Sequence, residues 1–276
     1  MPRSKCAALG TVGAAENEPI EGSSQLIEAV SYGTGGFPAA FYVDDLTHEE
    51  VAWHWHSEFE VLAVTEGAVD VLACGQRMTL QQGDAAFVNS GVLHAVKNHV
   101  PGQKAALHAI VFHPDIVAGS SDSIYQRRYV EPVMQNSRLR VAVLRAEDED
   151  QRETLLHLTR ALDAMLREKP GYEIILRNEL SFLLMALRDQ GGEELSRADS
   201  SGMQRERRAQ AMLGFIHSHY ASPITLESIA QTVAVSPNEA MRCFGQVVGM
   251  SPVRYLKEYR LAQAAKLLKE QKNSVT

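Results

Sequence analysis

The chain has 276 residues, of which 45% are hydrophobic and 22% charged, with a formal net charge of −7. That length accommodates two domains of about 100–200 residues each, and no run of about 18 apolar residues offers a membrane span. Cys6, Cys74 and Cys243 are too few and too scattered for a disulfide framework or a zinc-type pairing, and they fit a reducing cytoplasm.

The opening stretch, residues 1–25, mixes basic, small and acidic residues and reads as a loose tail, not a signal peptide. From about 26 to 113, short β-type runs such as "AAFYV", "EVLAVTEG" and "AVDVLACGQ" alternate with glycine-containing turns, which predicts a β-sandwich or barrel. The period then becomes helical. Leu155, Leu158, Leu162 and Met165 share one face over 149–168, and Leu176, Leu180, Leu183, Leu184 and Leu187 share one over 172–190. The "KPGY" turn between them predicts an antiparallel helical pair. A Gly/Ser/charged stretch, 191–203, reads as a linker. Beyond it everything is helical, and residues 203–276 carry ten Lys/Arg against five Glu, a net of +5 that leaves −12 for the remainder. Such a split points to nucleic acid, with a solvated helical surface as the plainer alternative.

Two constellations stand out. In the first, His54 and His56 are spaced to share a strand face, Glu60 keeps the parity of Leu62 and Val64, and His94 follows a Gly83-Asp84 turn. Three imidazoles and a carboxylate can hold a divalent transition metal with positions left for a ligand. They can equally be core histidines, or bind an organic effector directly. Trp53 and Trp55 have the opposite parity and are expected to pack against the outer sheet or a neighbouring element. These residues resemble the cupin superfamily: His54, His56, Glu60 and Gly67 meet its first motif, and Gly83, Gly91, His94 and Asn98 meet its second. His48 and Asn89 depart from the family's Gly and Pro, and neither is a ligand position.

In the second, Thr225 can cap a short helix bearing Leu226, Ile229 and Ala230, and "SPNE" starts another with Ser236 as cap, Pro237 at the first position and Glu239 completing a capping box. On that helix Ala240, Phe244 and Val247 share a buried face, and Gly249 is expected to end it left-handed. Two short helices around a tight turn describe a helix-turn-helix. The stretch resembles the DNA-binding domain of AraC-type regulators, through Leu226, Ile229, Ala230, Ser236, Phe244, Gly249, Ser251, Pro252, Tyr255, Leu256, Arg260 and Leu261. By that resemblance the helix Pro237–Val248 enters the major groove. Asn238, Glu239 and Arg242 are the candidate base contacts, and Arg254, Lys257 and Arg260 the candidate phosphate contacts. Such regulators carry two helix-turn-helix units. This chain reaches "EQKNSVT" where a second is due, so an incomplete, more weakly binding domain is expected.

The resemblance implies an all-β cupin barrel followed by an all-α part: tail 1–25, cupin-like sensor barrel 26–118, helical dimerisation region 119–190, linker 191–203, and a helix-turn-helix domain 204–276. The expected function is a cytoplasmic, ligand-responsive, sequence-specific transcription regulator. It would bind DNA, hold a small-molecule effector in the barrel with or without a divalent transition metal, form a homodimer through the helices of residues 149–190, and have no catalytic role. The alternatives are a metal-dependent cupin enzyme of dioxygenase, isomerase or decarboxylase type, and a dimerisation partner that does not bind DNA.

Overall fold

A computed structural model describes residues 36–189 and 200–271. Among these, nine strands build two antiparallel sheets. One runs in the order β1 (Ala39–Asp45), β8 (Ala106–Phe112), β3 (Phe59–Glu66), β6 (Ala85–Val88), β9 (Val141–Leu144); the other in the order β2 (Val51–His54), β7 (His94–Asn98), β4 (Ala68–Ala73), β5 (Gln76–Gln81). Strand alternation sorts the apolar residues into three layers of packing. Tyr42, Leu62, Val64, Val88 and Leu107 of the first sheet meet Val69, Val71 and Val96 of the second between the sheets. Phe41, Phe59, Phe87, Ile110 and Phe112 face outward from the first sheet onto helices.

Those helices are α1 (Asp115–Ala118), a π-helical turn Gln126–Val130 running into α2 (Glu131–Met134), then α3 (Arg152–Arg167) and α4 (Tyr172–Asp189). The apolar stripes foreseen on the last two are all buried except Leu155, which is half-buried. They are committed to the barrel, so pairing of two chains would have to use the opposite face. The span 119–190 is also not wholly helical: β9 comes from it and pairs with β6, Val88 opposite Val141. A four-residue apolar run is too short for periodicity to reveal.

The chain then continues in α5 (Ser200–His219), α6 (Leu226–Gln231), α7 (Pro237–Val248) and α8 (Pro252–Gln271). Residues 200–203, expected in the linker, begin α5; the tail 1–25 and the rest of the linker lie outside the described residues. Ala209, Leu213, Ile216, Ile229, Phe244 and Tyr255 close the helical core, and this core is continuous with Trp53, Leu93 and Ala95 on the outer face of the second sheet. The order of layers is therefore helical pair, sheet, sheet, helix-turn-helix.

Two close approaches fix the barrel turns. Gly67, between β3 and β4, has φ +69°, and a Cβ there would overlap the Lys104 carbonyl oxygen. Cys74 and Gly75 both have positive φ and form the two-residue hairpin between β4 and β5, with Ala73 opposite Gln76. A Cβ on Gly75 would lie 3.3 Å from the Gln246 carbonyl, so the hairpin abuts the C-terminal end of α7.

Candidate functional site

The barrel group is assembled from both sheets. Pairing of β2 with β7 sets His54 directly opposite His94. Glu60, on the central strand β3, reaches across from the other sheet, and His56 comes from the loop just beyond β2. The sequence placed both histidines on one strand; they do face one site, although β2 ends at His54. Glu60 Oε2 lies 3.1 Å from His56 Nε2, 3.0 Å from His94 Nε2 and 4.0 Å from His54 Nε2. Glu60, His56 and His94 are buried and His54 is half-buried.

The other ring nitrogens explain why these faces converge. Each Nδ1 lies against a backbone carbonyl: His54 on Ala52 at 2.8 Å, His56 on Glu58 at 3.1 Å, His94 on Val92 at 2.9 Å. A carbonyl only accepts, so each Nδ1 is placed to donate, and in the neutral ring this directs the Nε2 lone pair towards Glu60. Acceptors then face an acceptor carboxylate, an arrangement that a cation or a shared proton between them stabilises. Carbonyl anchoring of the distal nitrogen is also how metal-ligating histidines are oriented. The four donor atoms all lie within 4.8 Å of one another, which suits metal–ligand bonds of about 2.0–2.2 Å. The residues thus fit a divalent transition ion, held by His54, His56, Glu60 and His94.

In the helix-turn-helix, α6 begins with a reciprocal capping box: Thr225 Oγ1 accepts from the Ser228 N–H, and Ser228 Oγ accepts from the Thr225 N–H. Ser236 caps α7 by accepting from the Glu239 N–H, and Gly249 ends it at φ +82°. The capping box expected at Glu239 does not form. Its carboxylate instead accepts from Arg242 Nε at 3.0 Å and Nη2 at 2.7 Å, with Arg208 3.7 Å away. Charge-assisted pairing with guanidinium groups outcompetes a neutral N–H. Asn238, Met241, Arg242 and Gln246 are the exposed residues of α7.

The three candidate phosphate contacts lie on α8. Arg254 pairs with Glu258 at 2.8 Å, and Lys257 is exposed. Arg260 donates to the carbonyls of Tyr220 and Ser222 at 2.7 and 2.8 Å, closing the C-terminal end of α5. Beside this junction His217 stacks on Tyr259, with ring centroids 4.2 Å apart, and its Nε2 lies 2.8 Å from the Tyr255 hydroxyl. Burial pushes the His217 imidazole down to about 4.

Sequence reasoning missed the residues that tie the two halves together. Glu206, buried on α5, accepts from the Leu93 N–H at 2.9 Å and from the Arg140 guanidinium. Burial raises the Glu206 carboxyl above its usual range, opposed by Arg140 and the Leu93 N–H. Arg140 also donates to Cys74 Sγ at 3.2 Å, and Gln210 donates to the Gly91 carbonyl at 3.0 Å. Asn89, a departure from the cupin pattern, is buried and donates to the carbonyls of Val133 and Leu139 at 2.8 and 2.6 Å. A proline there could make neither bond. No local pattern flags these partners, because Arg140 and Glu206 are separated by 66 residues in the chain.

The family model for the AraC-like ligand binding domain matches residues 40–184, and that for bacterial regulatory helix-turn-helix proteins of the AraC family matches residues 216–257. The chain is similar to the HTH-type transcriptional regulator YdeC of Bacillus subtilis (strain 168), 27% identical over 255 residues, covering 91% of this chain and 85% of that protein. It is also similar to the HTH-type transcriptional activator RhaS of Klebsiella pneumoniae (strain 342), 24% identical over 229 residues, covering 81% and 76%. Among solved structures, unsaturated fatty acid bound ToxT from Vibrio cholerae strain SCE256 aligns with a TM-score of 0.42 at 9% identity, covering 79% of this chain and 94% of that one.

Proposed function

The chain belongs to the AraC family, a ligand-responsive, DNA-binding transcription regulator, and from that premise we propose that its effector site is the group His54, His56, Glu60 and His94. The observation that carries this reading is the anchoring of all three Nδ1 atoms on backbone carbonyls, with the three Nε2 atoms converging on one buried carboxylate oxygen. A divalent transition metal bound there would supply a positive charge to hold an anionic or chelating effector. The four side chains orient it, and the apolar packing between the sheets limits water.

We read the barrel as a sensor without catalysis, working in the cytoplasm. The sheet that carries His54 and His94 is backed by the DNA-binding helices, an arrangement suited to reporting occupancy. Asn238, Glu239 and Arg242 would read bases and Arg254 and Lys257 would meet phosphates; Arg260 would support them by holding the end of α5. The protein would pair through the exposed face of α4, where Ile174, Ile175, Phe182 and Met185 lie opposite the stripe buried on the barrel. We take the domain limits of the sequence reading with two changes, the barrel taking in β9 and the helix-turn-helix domain starting with α5 at Ser200.

Metal analysis of protein purified without chelators, followed by Zn2+ titration calorimetry, tests the site. We expect one ion per chain in the wild type and loss of binding in His54→Ala and Glu60→Gln. Absence of binding in the wild type would remove the metal from this reading.

A further inference from the structure

Two short segments carry both the effector-site ligands and the docking surface, on alternating positions. In one, His54 and His56 face Glu60 while Trp53 and Trp55 pack into the core shared with the DNA-binding helices. In the other, His94 faces Glu60 while Leu93 and Ala95 pack into that same core. The backbone between Leu93 and His94 is therefore held at one end by the site and at the other by α5, through the bond from the Leu93 N–H to Glu206. Arg140, which steadies the Glu206 carboxylate, follows Leu139, whose carbonyl is held by Asn89 of the same β6–β7 connection.

We propose that Glu206 is the coupling residue of this regulator: its grip on the Leu93 N–H and Arg140 is the contact through which the helix-turn-helix senses occupancy of the His54/His56/Glu60/His94 group. Occupancy that draws His94 towards the centre of the group moves the Leu93 amide with it. The direct receiver is then α5, which also holds α7: Cys243 of α7 donates to the Arg205 carbonyl, adjacent to Glu206. The Cys74-Gly75 hairpin, to which Arg140 is bonded, abuts the other end of α7 and constrains the same helix. A ligand shifts such an equilibrium only through a difference in affinity between the two arrangements, and the Glu206 contacts are the link by which that difference would reach α5. The inference rests on the effector-site reading above, and its test separates the two.

The chain has two tryptophans, and both pack against the core shared with the DNA-binding helices, so selectively excited tryptophan emission in metal-free protein reports docking. In full-length protein without added metal, Glu206→Ala should shift emission to longer wavelength, with Glu206→Gln intermediate because its amide oxygen still accepts from Leu93. Arg140→Met makes the same test from the barrel side and leaves the helical domain's sequence intact. Affinity for a duplex carrying the region upstream of its own gene is then measured with and without saturating Zn2+. The wild-type ratio should depart from one by about fivefold or more, and in Glu206→Ala it should fall to about one while Zn2+ still binds. Zn2+ binding with an unchanged ratio in both Glu206→Ala and Arg140→Met, or a wild-type ratio of one with Zn2+ bound, overturns the proposal. If calorimetry finds no Zn2+ binding, the metal reading fails by itself. Emission then decides the inference: a red shift in Glu206→Ala supports it and an unchanged spectrum overturns it.

Discussion

Trp53 and His54 are adjacent in the chain and face opposite sides of one sheet: the imidazole joins Glu60 inside the barrel, and the indole packs against the DNA-binding helices. Ordinary strand alternation gives this opposition, while the register shift in β2 between Val51 and His54 accounts for Val51 and Trp53 packing on different faces although they are two residues apart. One strand a few residues long thus separates the proposed effector site from the surface that meets the helix-turn-helix.

Gly67 is a motif residue with a steric reason. Its φ of +69° and the Lys104 carbonyl beside it leave no room for a side chain. Gly67→Ala should cost about 2–4 kcal/mol of barrel stability, read as a lower urea midpoint with an unchanged m-value. An unchanged midpoint would show that the turn relaxes freely.

Ala234 sits at φ +52° in the turn between α6 and α7. An L-residue there costs roughly 1–2 kcal/mol, while glycine's larger unfolded-state entropy returns about 0.5–1 kcal/mol of that. Ala234→Gly should therefore stabilise the helical domain slightly, raising its melting temperature by a few degrees. A decrease would mean that the Ala234 methyl packs more usefully than its backbone suffers.

His217 makes the helical domain sensitive to acid. Burial keeps it neutral down to about pH 4, whereas in the unfolded chain it titrates near 6.5. Between those values the unfolded state binds more protons, so stability is full above about pH 6.5 and falls as pH drops towards 4, by up to roughly 3 kcal/mol. Melting curves at pH 7 and pH 5 should differ less for His217→Gln than for the wild type. Equal pH slopes in the two proteins would contradict this.

The face of α4 turned away from the barrel predicts the oligomeric state. Phe182 is 47% exposed and Ile174 68% exposed on that face, an apolar stripe that a second copy would cover. Ile174→Glu should convert a dimer to a monomer in sedimentation analysis and leave the thermal stability of the barrel unchanged, whereas Phe182 also stacks on His157 of α3. A wild-type mass equal to that of the variant would remove this surface as the interface.

The sequence made legible what depends on near neighbours. The His54/His56/Glu60 spacing, the alternating tryptophans, the leucine stripes of α3 and α4 and the caps at Thr225, Ser236 and Gly249 are all local patterns, and each is met in the structure. Contacts decided by the tertiary fold were not legible. Glu239 looks like a cap until Arg242 and Arg208 compete for it, and Asn89 looks like a lost proline until the carbonyls of Val133 and Leu139 arrive beside it. Glu206 and Arg140 carry no local signal, because nothing local says that α5 will dock on the barrel.

Arg242 offers the most direct test of the account as a whole, that this chain reads DNA through α7. Its guanidinium is exposed and paired with Glu239 on α7, and by the proposed reading it would exchange onto a guanine. Affinity for the gene's own upstream duplex, measured over a range of salt, should fall linearly in log–log form, with a slope of about −0.9 for each phosphate neutralised. Arg242→Ala should lose about 1–3 kcal/mol of preference for that duplex over an unrelated one while keeping most of the salt slope. A flat, negligible signal for the wild type, or equal discrimination by the wild type and Arg242→Ala, would contradict it.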